Sequence, residues 1–465
     1  MSGTNSIKWM LSQPNGVLGM WEAFNEMFQL SHSLGHEKYM LDTWAVDVSR
    51  RALTQELEDF IEPVQEELQL AVDSLLGMDT DNWKAVDLMD TMRMIINRTG
   101  GRFAVGLPLC RDEGYLTASI TCIEKIVSNA GAVGLMPTFL RPFFGRLARW
   151  STQGVLRKLE SRCGVMLEER FAHVAANPNN KSQDPVDLIQ RMIRLSANHR
   201  PDEMNIEAMT RRLIMANLGF IYQAGFAATN VLRNILESDR EYDTINVLRA
   251  EAQRFAAAAE GDSSRLWTRA NVARMIFADS VGRETLRLHT VPTRSLIRQV
   301  MVDGLRSDTG LPLPRGSLVS VVSQPMHTDP DRFPNPHAFE PFRFVDLRNT
   351  NNNEEKYQTS QADVSDKTAD EAGGSWSPHA FISTANLLIF GRGRSSCPGR
   401  FLIDFQLKML VHHLLLNYDI KLADTARGKR PTNSWLLEFV FPPKGIKMLV
   451  KRRNSNNITK TPSSI

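Results

Sequence analysis

One short segment of the chain combines a glycine-rich turn, a single cysteine and the start of an apolar helix, Phe390-Gly391-Arg392-Gly393-Arg394-Ser395-Ser396-Cys397-Pro398-Gly399-Arg400-Phe401. Two glycines before the cysteine allow the backbone to turn tightly around it, and Pro398 suits a first helical position, where its missing N–H costs nothing. The apolar residues that follow recur at intervals of 4, 3 and 4, which predicts a helix with one buried face: Ile403, Leu407, Leu410 and Leu414.

The sulfur of Cys397 is expected to lie at the N-terminus of that helix, among backbone N–H groups. Such surroundings lower the pKa of a thiol and stabilise the thiolate. A thiolate is a nucleophile or a metal ligand, and a cysteine-protease site would also need a positioned histidine, which the sequence does not identify. The usual alternative for a lone cysteine is a small buried apolar residue, but that does not account for the flanking glycines and proline.

The spacing within this segment resembles that of the cytochrome P450 family. Phe390, Gly393, Cys397 and Gly399 match its F-x-x-G-x-x-x-C-x-G loop, in which the cysteine is the axial haem ligand and favours O–O cleavage. By this resemblance the fold is mainly α with minor β, and the cofactor is haem, iron protoporphyrin IX. Cys397 would bind the iron, and the rest of the loop, including Arg394, would contact the cofactor.

Two further motifs stand in the order that the family requires. Glu284-Thr285-Leu286-Arg287 resembles its E-x-x-R, whose two charged side chains lie three residues apart on one helical face. Phe339-Glu340-Pro341-Phe342-Arg343-Phe344 resembles the later P-x-R-F element, which implies a buried cluster of Glu284, Arg287 and Arg343 behind the haem. An isolated E-x-x-R would instead be an exposed pair worth about 0.5 kcal/mol or less.

Arginines elsewhere are implied to hold the haem propionates, since a guanidinium binds a carboxylate through two parallel hydrogen bonds. Arg50, in Arg50-Arg51-Ala52-Leu53-Thr54, and Arg294, in Pro292-Thr293-Arg294, resemble the family's donor segments. For each, a solvated surface arginine is the alternative. Ser395 departs from the family pattern, because relatives tend to have a basic residue there and a hydroxyl donates without a charge.

The proline-free stretch Pro201–Pro292 predicts several helices, the central one running from about Ile206 to Leu236. In the family this helix carries an acid or histidine followed by a threonine, which deliver protons to bound oxygen. Neither of two alignments places a threonine where it is expected, so the relay candidates are Tyr222, Gln223, Ala224 and Thr229. Gly219 and Gly225 each cost about 1 kcal/mol within a helix, which close approach of a flat cofactor or a helix distortion would explain.

Composition and charge exclude several other classes of protein. Of 465 residues, 42% are hydrophobic and 23% charged, so the chain is neither disordered nor a polytopic membrane protein. Its 55 basic and 52 acidic side chains give a net charge of +3, which offers no electrostatic case for binding nucleic acid. Its four cysteines are widely spaced, which indicates neither a disulfide scaffold nor a structural zinc site. No uncharged apolar stretch is long enough to span a membrane.

The sequence predicts one catalytic domain over residues 1–450, with an exposed polar insertion at 346–378 and a disordered basic tail at 451–465. Strands are expected only in short β-branched runs, such as residues 318–322 and the segment near Val440. Compared with eukaryotic members of the family, the chain is expected to begin after the membrane anchor and the first strands.

Together the motifs predict a haem-thiolate monooxygenase that uses O₂ to oxidise an apolar small molecule. The substrate is expected to be a terpenoid or a related fungal secondary metabolite, because residues 103–111 and 416–421 resemble the fungal branch of the family. The resemblance also implies an NADPH-dependent flavoprotein reductase, and its docking face is predicted to include Arg392, Arg394, Arg400 and Lys408. A solvated face and propionate contacts are equally consistent with this basic cluster.

The resemblance further implies a location at the cytosolic face of the endoplasmic reticulum, or a cytoplasmic or peripheral one if the chain start is genuine. Two alternatives for the function stay open. The first is a P450-type enzyme that catalyses a non-hydroxylating oxidative step, which would need no threonine relay. The second is a degenerate haem-binding homologue without activity.

Overall fold

The computed structural model describes residues 4–259, 266–345, 387–393, 396–423, 432–436 and 438–454. Contacts divide the chain into two compact units: the first is Met1–Phe60, Gly100–Tyr222 and Ser295–Val321, and the second is Ile61–Thr99, Gln223–Arg294 and Val322–Ile465. Helices dominate and strands are few, which confirms the predicted fold class. The predicted insertion at 346–378 falls on residues outside the described ones, and the limits of the catalytic domain stay a prediction.

Helices carry most of the described chain, and several begin at a residue that caps them. Up to residue 217 they are α1 (Thr4–Ser12), α2 (Met20–Phe28), α3 (Leu30–Ser33), α4 (Lys38–Leu41), α5 (Trp44–Thr54), α6 (Leu57–Leu76), α7 (Leu88–Ala104), α8 (Glu113–Gly134), α9 (Arg141–Ala176), α10 (Leu188–His199) and α11 (Ile206–Asn217). From residue 223 they are α12 (Gln223–Tyr242), α13 (Thr244–Ala258), α14 (Arg269–Arg274), α15 (Ile276–Leu288), α16 (Ser323–His327) and α17 (Arg400–Asn417). Asp112, Asp187 and Asn205 each accept a backbone N–H from the first turn of the helix that follows, which satisfies one of its free donors.

Short strands form three small sheets within the described residues. The strands are β1 (Leu18–Gly19), β2 (Lys84–Asp87), β3 (Arg294–Val300), β4 (Leu318–Val322), β5 (Tyr418–Leu422), β6 (Ser434–Leu436), β7 (Phe439–Phe441) and β8 (Lys447–Arg452). Their orders are β1-β3-β4, β2-β8-β5 and β6-β7. In the second sheet β8 pairs antiparallel with both neighbours, so that Ala85 lies opposite Leu449 and Ile420 opposite Val450. The strands predicted at 318–322 and near Val440 are confirmed as β4 and β7.

The carboxyl-terminal tail begins later than the sequence predicts. Lys451 and Arg452, which were expected to be disordered, are the last residues of β8 and pair with β5. Arg452 Nη1 also donates to Asp73 Oδ1 at 2.7 Å. The prediction is wrong here because a basic run suggests solvation, whereas a paired strand with a nearby carboxylate orders the same residues. Residues 455–465 lie outside the described residues.

The long helix predicted at the centre of the chain is present, but it is not regular. α11 is followed without a gap by a π-helical turn at Leu218–Tyr222 and then by α12. Gly219 lies in the π-helical turn, so a helix distortion accounts for this glycine. Gly225 has another reason, since a Cβ there would lie 3.1 Å from Arg93 Cγ of α7. Side-chain packing against Arg93 therefore accounts for glycine at position 225.

α17, which follows Cys397, lies in the core of the second unit. Its predicted apolar face is confirmed, because the four residues are between 0% and 8% exposed: Ile403, Leu407, Leu410 and Leu414. Other positions around α17 are buried as well, including the charged Asp404 and Lys408. None of the helices in the described part of the chain has both the length and the apolar character that a membrane span requires.

Candidate active site

The segment before Cys397 is a tight turn that a backbone hydrogen bond closes. Gly391 and Gly393 have φ values of 68° and 67°, in the left-handed region that favours glycine. The Cys397 N–H donates to Phe390 O at 2.8 Å, which fixes the cysteine at the end of the turn. The two glycines thus allow the turn that the sequence predicts. Two other residues of the motif, Arg394 and Ser395, lie outside the described residues.

Peptide N–H groups surround the sulfur of Cys397, but they do not ionise it. Gly399 is the N-cap of α17, so Pro398 precedes the cap and does not occupy the first helical position that the sequence predicts. The residue is partly exposed, yet burial of its sulfur raises the thiol pKa, although the Gly399 N–H and Arg400 act in the opposite direction. The predicted lowering of this pKa is wrong for the protein alone, because desolvation outweighs the hydrogen bonds.

The E-x-x-R pair is fully buried, and a second arginine joins it. Arg287 Nε and Nη2 each donate to the Glu284 carboxylate at 2.7 Å, and Arg343 Nε donates to the same carboxylate at 3.0 Å. The side chains of Glu284, Arg287 and Arg343 are 0%, 0% and 5% exposed. Further guanidinium N–H groups donate to Pro336 O and Pro334 O, each at 2.6 Å. The structure therefore brings the three predicted residues together; we call them the buried ion cluster.

His327 connects the buried ion cluster to the segment that leads to Cys397, and sequence reasoning missed it. Arg287 Nη1 donates to His327 O at 2.7 Å, and the Leu388 N–H donates to His327 Nε2 at 3.0 Å. Because Nε2 accepts this hydrogen bond, the ring proton is assigned to Nδ1, which lies 3.1 Å from Thr290 Oγ1. Burial lowers the pKa of His327 to about 4, which keeps the ring neutral. No spacing signal marks a lone histidine, so the link is visible only in the fold.

One of the four residues predicted to form the basic docking face, Lys408, is buried. Lys408 is 2% exposed and pairs with Asp404 at 2.7 Å and with Asp279 at 3.2 Å. Its assignment to a docking surface is wrong, because most positions around α17 are buried and a lysine is found in such surroundings only when it is paired. Arg400 is partly exposed, but its Nη1 donates to Cys397 O at 2.6 Å.

The two arginines predicted to hold propionates already have carboxylate partners. Arg50 Nη1 lies 3.3 Å from Asp47 Oδ1 on an exposed face of α5, and Arg294 forms an ion pair with Glu438. By contrast, Arg298 is 6% exposed, and its one hydrogen bond within the described residues goes to the preceding carbonyl oxygen at 2.8 Å. Burial lowers its pKa to about 10. The sequence gives a weak signal for this residue, an arginine inside the apolar run of β3.

The four residues of the central helix predicted to relay protons differ in whether they have an accessible hydrogen-bonding side chain. Thr229 is fully buried, and its Oγ1 donates to Gly225 O at 2.8 Å, one turn earlier in α12. This hydroxyl is therefore committed to the helix backbone. Ala224 is buried and has no polar side-chain atom, whereas Gln223 is exposed and Tyr222 is partly exposed. Of the four candidates, Tyr222 and Gln223 combine an accessible side chain with a hydrogen-bonding group.

The chemistry of these residues fits a haem held by one protein ligand. Among the described residues, no group of three or more His, Cys, Asp or Glu side chains could hold a metal ion. A porphyrin supplies four ligands of its own, so one sulfur suffices, and a metal cation at the sulfur would deprotonate the thiol in spite of its burial.

Comparison with known proteins agrees with this chemistry. The family model for Cytochrome P450 matches residues 40–450. The chain is 36% identical both to cytochrome P450 monooxygenase pbrC of Penicillium brasilianum and to cytochrome P450 monooxygenase astC of Aspergillus terreus, in each case over 97% of this chain and 81% of the relative. It is 35% identical to cytochrome P450 monooxygenase tenB of Beauveria bassiana over the same shares of the two chains.

The fold agrees with the sequence relationship. The crystal structure of the cytochrome P450DA heme domain superimposes with a TM-score of 0.64 at 13% identity, covering 98% of this chain and 88% of that one. At this identity the likeness shows the fold alone. Since the family model spans most of the chain and the relatives match along nearly all of it, the chain belongs to the cytochrome P450 family of haem enzymes, in which a cysteine thiolate is the axial ligand.

Proposed function

We propose that this enzyme is a monooxygenase that inserts one atom of O₂ into an apolar small molecule, with Cys397 as the axial ligand of its haem. One observation carries the proposal: the turn closed by Phe390 and Cys397 presents one thiol with peptide N–H groups at its sulfur. Gly391 and Gly393, with their positive φ values, allow this geometry, and Arg394 and Gly399 are proposed to contact the cofactor. When bound, the haem supplies the activation of O₂, which no side chain provides.

The surroundings of Cys397 support a role that needs a fixed sulfur. The buried ion cluster donates to His327 O through Arg287, and His327 Nε2 accepts the Leu388 N–H. The backbone nine residues before the cysteine is therefore held by a buried network and not by solvent-exposed contacts. A metal ligand must stay within a few tenths of an ångström of its bonding position, and rigid neighbours achieve this.

Arg294 is proposed to hold a haem propionate, and it lies in the same unit as Cys397. The propionate would have to compete with Glu438, the carboxylate that pairs with Arg294. Arg50 stays a prediction from the family resemblance, and its carboxylate partner is Asp47.

Proton delivery is proposed to depend on Gln223, with Tyr222 as its neighbour. The Gln223 amide is exposed on α12 and can hold a water molecule through both its oxygen and its nitrogen. Thr229 does not serve, since its hydroxyl donates to Gly225 O. Because the Thr229 hydroxyl already donates its proton to the helix backbone, a second candidate function is also favoured, a non-hydroxylating oxidative step such as a desaturation. Turnover under labelled O₂ separates the two: label in the product supports oxygen insertion, and its absence supports the second function.

The substrate is proposed to be a terpenoid or a related fungal secondary metabolite, and the electron donor an NADPH-dependent flavoprotein reductase. Arg392 and Arg400, near Cys397 in the sequence, are proposed to contact the reductase. The proposed location is the cytosolic face of the endoplasmic reticulum.

The carbon monoxide difference spectrum of the reduced protein tests the proposal directly. The wild type should show the band of a thiolate-ligated haem, and Cys397→Ala should lose it. Cys122→Ala is a matched control, because Cys122 is a fully buried cysteine of α8 and should leave the band unchanged. A thiolate band that survives in Cys397→Ala would overturn the assignment of the ligand. Haem binding without turnover of any apolar substrate would favour a degenerate homologue.

A further inference from the structure

The π-helical turn of the central helix is packed on one side only. Gly100, near the end of α7, lies so close to the turn that a Cβ at this position would be 2.8 Å from Ile221 Cγ1. Phe103 of α7 packs edge to face against Phe220 of the turn at 5.6 Å. By contrast, Gly219 is exposed, and a Cβ there would meet no neighbouring atom within 4 Å. The turn therefore rests on the end of α7, and its other side is open among the described residues.

A buried hydrogen bond fixes the residue immediately before this turn. Asn217 is the last residue of α11, and its Nδ2 donates to the Tyr115 hydroxyl of α8 at 3.0 Å. Asn217 and Tyr115 are 0% and 1% exposed. Ser119, one helical turn further along α8, is another polar side chain at the Tyr115 hydroxyl. Helix α8 thus holds the start of the π-helical turn, as α7 holds its middle.

Stability alone does not explain an asparagine at position 217. Its Oδ1 is buried and accepts no hydrogen bond from the described residues. A buried acceptor without a partner costs free energy, and a leucine of similar size would avoid that cost. Burial also raises the pKa of Tyr115, so its hydroxyl stays neutral and no ionic attraction compensates. An apolar pair at these two positions would therefore be at least as stable as the polar one.

The π-helical turn changes the direction of the residues that it contains. In such a turn the backbone hydrogen bonds reach back five residues instead of four, so that one additional residue is accommodated. One residue corresponds to a rotation of about 100° around the axis of a regular helix. Tyr222 is the last residue of the turn, and its direction therefore differs from the one that a regular helix would give it.

We propose that Asn217, through its hydrogen bond to Tyr115, is a positioning residue that maintains the π-helical turn and so sets the direction of Tyr222. The inference rests on the proposed function only for the part that Tyr222 takes in proton delivery. The direction of Tyr222 is measured without turnover, so a wrong assignment of the proton relay would leave this proposal standing.

Fluorine NMR of the haem-loaded protein, labelled with 3-fluorotyrosine, tests the proposal. The chain has six tyrosines, and Tyr222→Phe identifies the signal of Tyr222. The spectra are recorded on the reduced, carbon monoxide-bound protein, because it is diamagnetic and the signals stay sharp. Both Tyr115→Phe and the double variant Tyr115→Phe/Asn217→Leu remove the hydrogen bond, so both should shift the Tyr222 signal.

Urea-induced unfolding of the same variants separates position from stability. Tyr115→Phe leaves the Asn217 amide buried without its partner, so the equilibrium constant for unfolding should rise about tenfold. The double variant replaces both polar groups by apolar ones, and its stability should return close to that of the wild type. Only the position of the Tyr222 signal should then still differ from the wild type.

Ser119→Ala is the matched control, because it removes another polar neighbour of the Tyr115 hydroxyl and leaves Asn217 paired. Its Tyr222 signal should stay at the wild-type position, and a thiolate-type carbon monoxide band in every variant shows that the fold is retained. An unshifted Tyr222 signal in Tyr115→Phe would overturn the proposal. So would a double variant in which signal and stability return together, since the hydrogen bond would then serve stability alone. Should Tyr115→Phe fail to fold, the signal of the double variant decides.

Discussion

Neutralising Glu284 should destabilise the protein far more than neutralising Asp47, although each carboxylate pairs with an arginine three residues further along a helix. Arg287 and Glu284 are 0% exposed, with two N–O distances of 2.7 Å. Arg50 and Asp47 are 40% and 61% exposed, with an N–O distance of 3.3 Å. The substitutions Glu284→Gln and Asp47→Asn keep the size of each side chain and remove only its charge. The two variants thus compare the same helical carboxylate–arginine pair in a buried and in an exposed environment.

The expected magnitudes follow from solvation. Removing one partner of a buried ion pair costs about 3–5 kcal/mol, because the remaining charge is left in a medium that solvates it poorly. In Glu284→Gln the Arg287 guanidinium loses its anion and Arg343 keeps only the Glu340 carboxylate, at 3.1 Å, while the hydrogen bonds of both arginines to backbone carbonyls remain. We therefore expect a loss within this range and not beyond it. Water replaces the lost partner in Asp47→Asn, where the cost should be about 0.5 kcal/mol or less.

Urea-induced unfolding of the haem-loaded protein, followed by tryptophan fluorescence and haem absorbance, measures both losses. With a denaturant slope of about 3 kcal/mol per M, the midpoint should fall by about 1–1.7 M in Glu284→Gln and by less than about 0.2 M in Asp47→Asn. Arg343→Lys, which keeps the charge near Glu284, should lie between them. Equal shifts in Glu284→Gln and Asp47→Asn would refute the reasoning, since burial would then not decide the energy of the pair.

Two further predictions concern a buried histidine and two helix glycines. Burial lowers the pKa of His327 from 6.5 to about 4, so the neutral ring contributes fully to stability above pH 6.5. The free energy of unfolding should fall by about 3 kcal/mol as the pH drops to about 4, because the unfolded chain binds the proton first. Urea titrations across this pH range should show a smaller fall in the free energy of unfolding for His327→Asn. Gly219→Ala should raise the thermal midpoint, because the added Cβ meets no atom within 4 Å and alanine is favoured in helices by about 1 kcal/mol. Gly225→Ala should not raise it, because its Cβ would lie 3.1 Å from Arg93 Cγ.

Features that depend only on residues close together in the sequence could be predicted from it. The turn around Cys397 follows from two glycines at fixed distances from the cysteine, and both have the positive φ that such a turn requires. The buried face of α17 follows from its apolar spacing. The pairing of Glu284 with Arg287 needs only one helical turn, although its complete burial does not follow from that spacing.

Features that depend on distant neighbours could not be predicted in the same way. The pKa of Cys397 is raised because packing desolvates the sulfur, which no local pattern reports. The local sequence around Lys408 suggests a surface residue, but the fold brings Asp279, 129 positions away in the sequence, into contact with it. Arg294 matches the expected segment, but Glu438 already neutralises its charge, and Arg298, four residues later, lacks such a partner among the described residues.

The same buried charges explain how the fold fixes the cysteine from both directions along the chain. α15 carries Glu284 and Arg287, which reach the segment before Cys397 through His327 and Leu388. It also carries Asp279, which pairs with Lys408 of α17, the helix that follows the cysteine.

One helix is therefore linked to the chain on each side of the sulfur, before it through Arg287 and the neutral His327, and after it through the ion pair of Asp279 with Lys408. Buried ion pairs add little net stability compared with well-packed apolar residues, so stability alone is a weak reason to retain two such networks. Hydrogen-bonded charges do fix direction and distance, which apolar packing leaves freer. We therefore infer that these charges serve the position of the sulfur more than the stability of the fold.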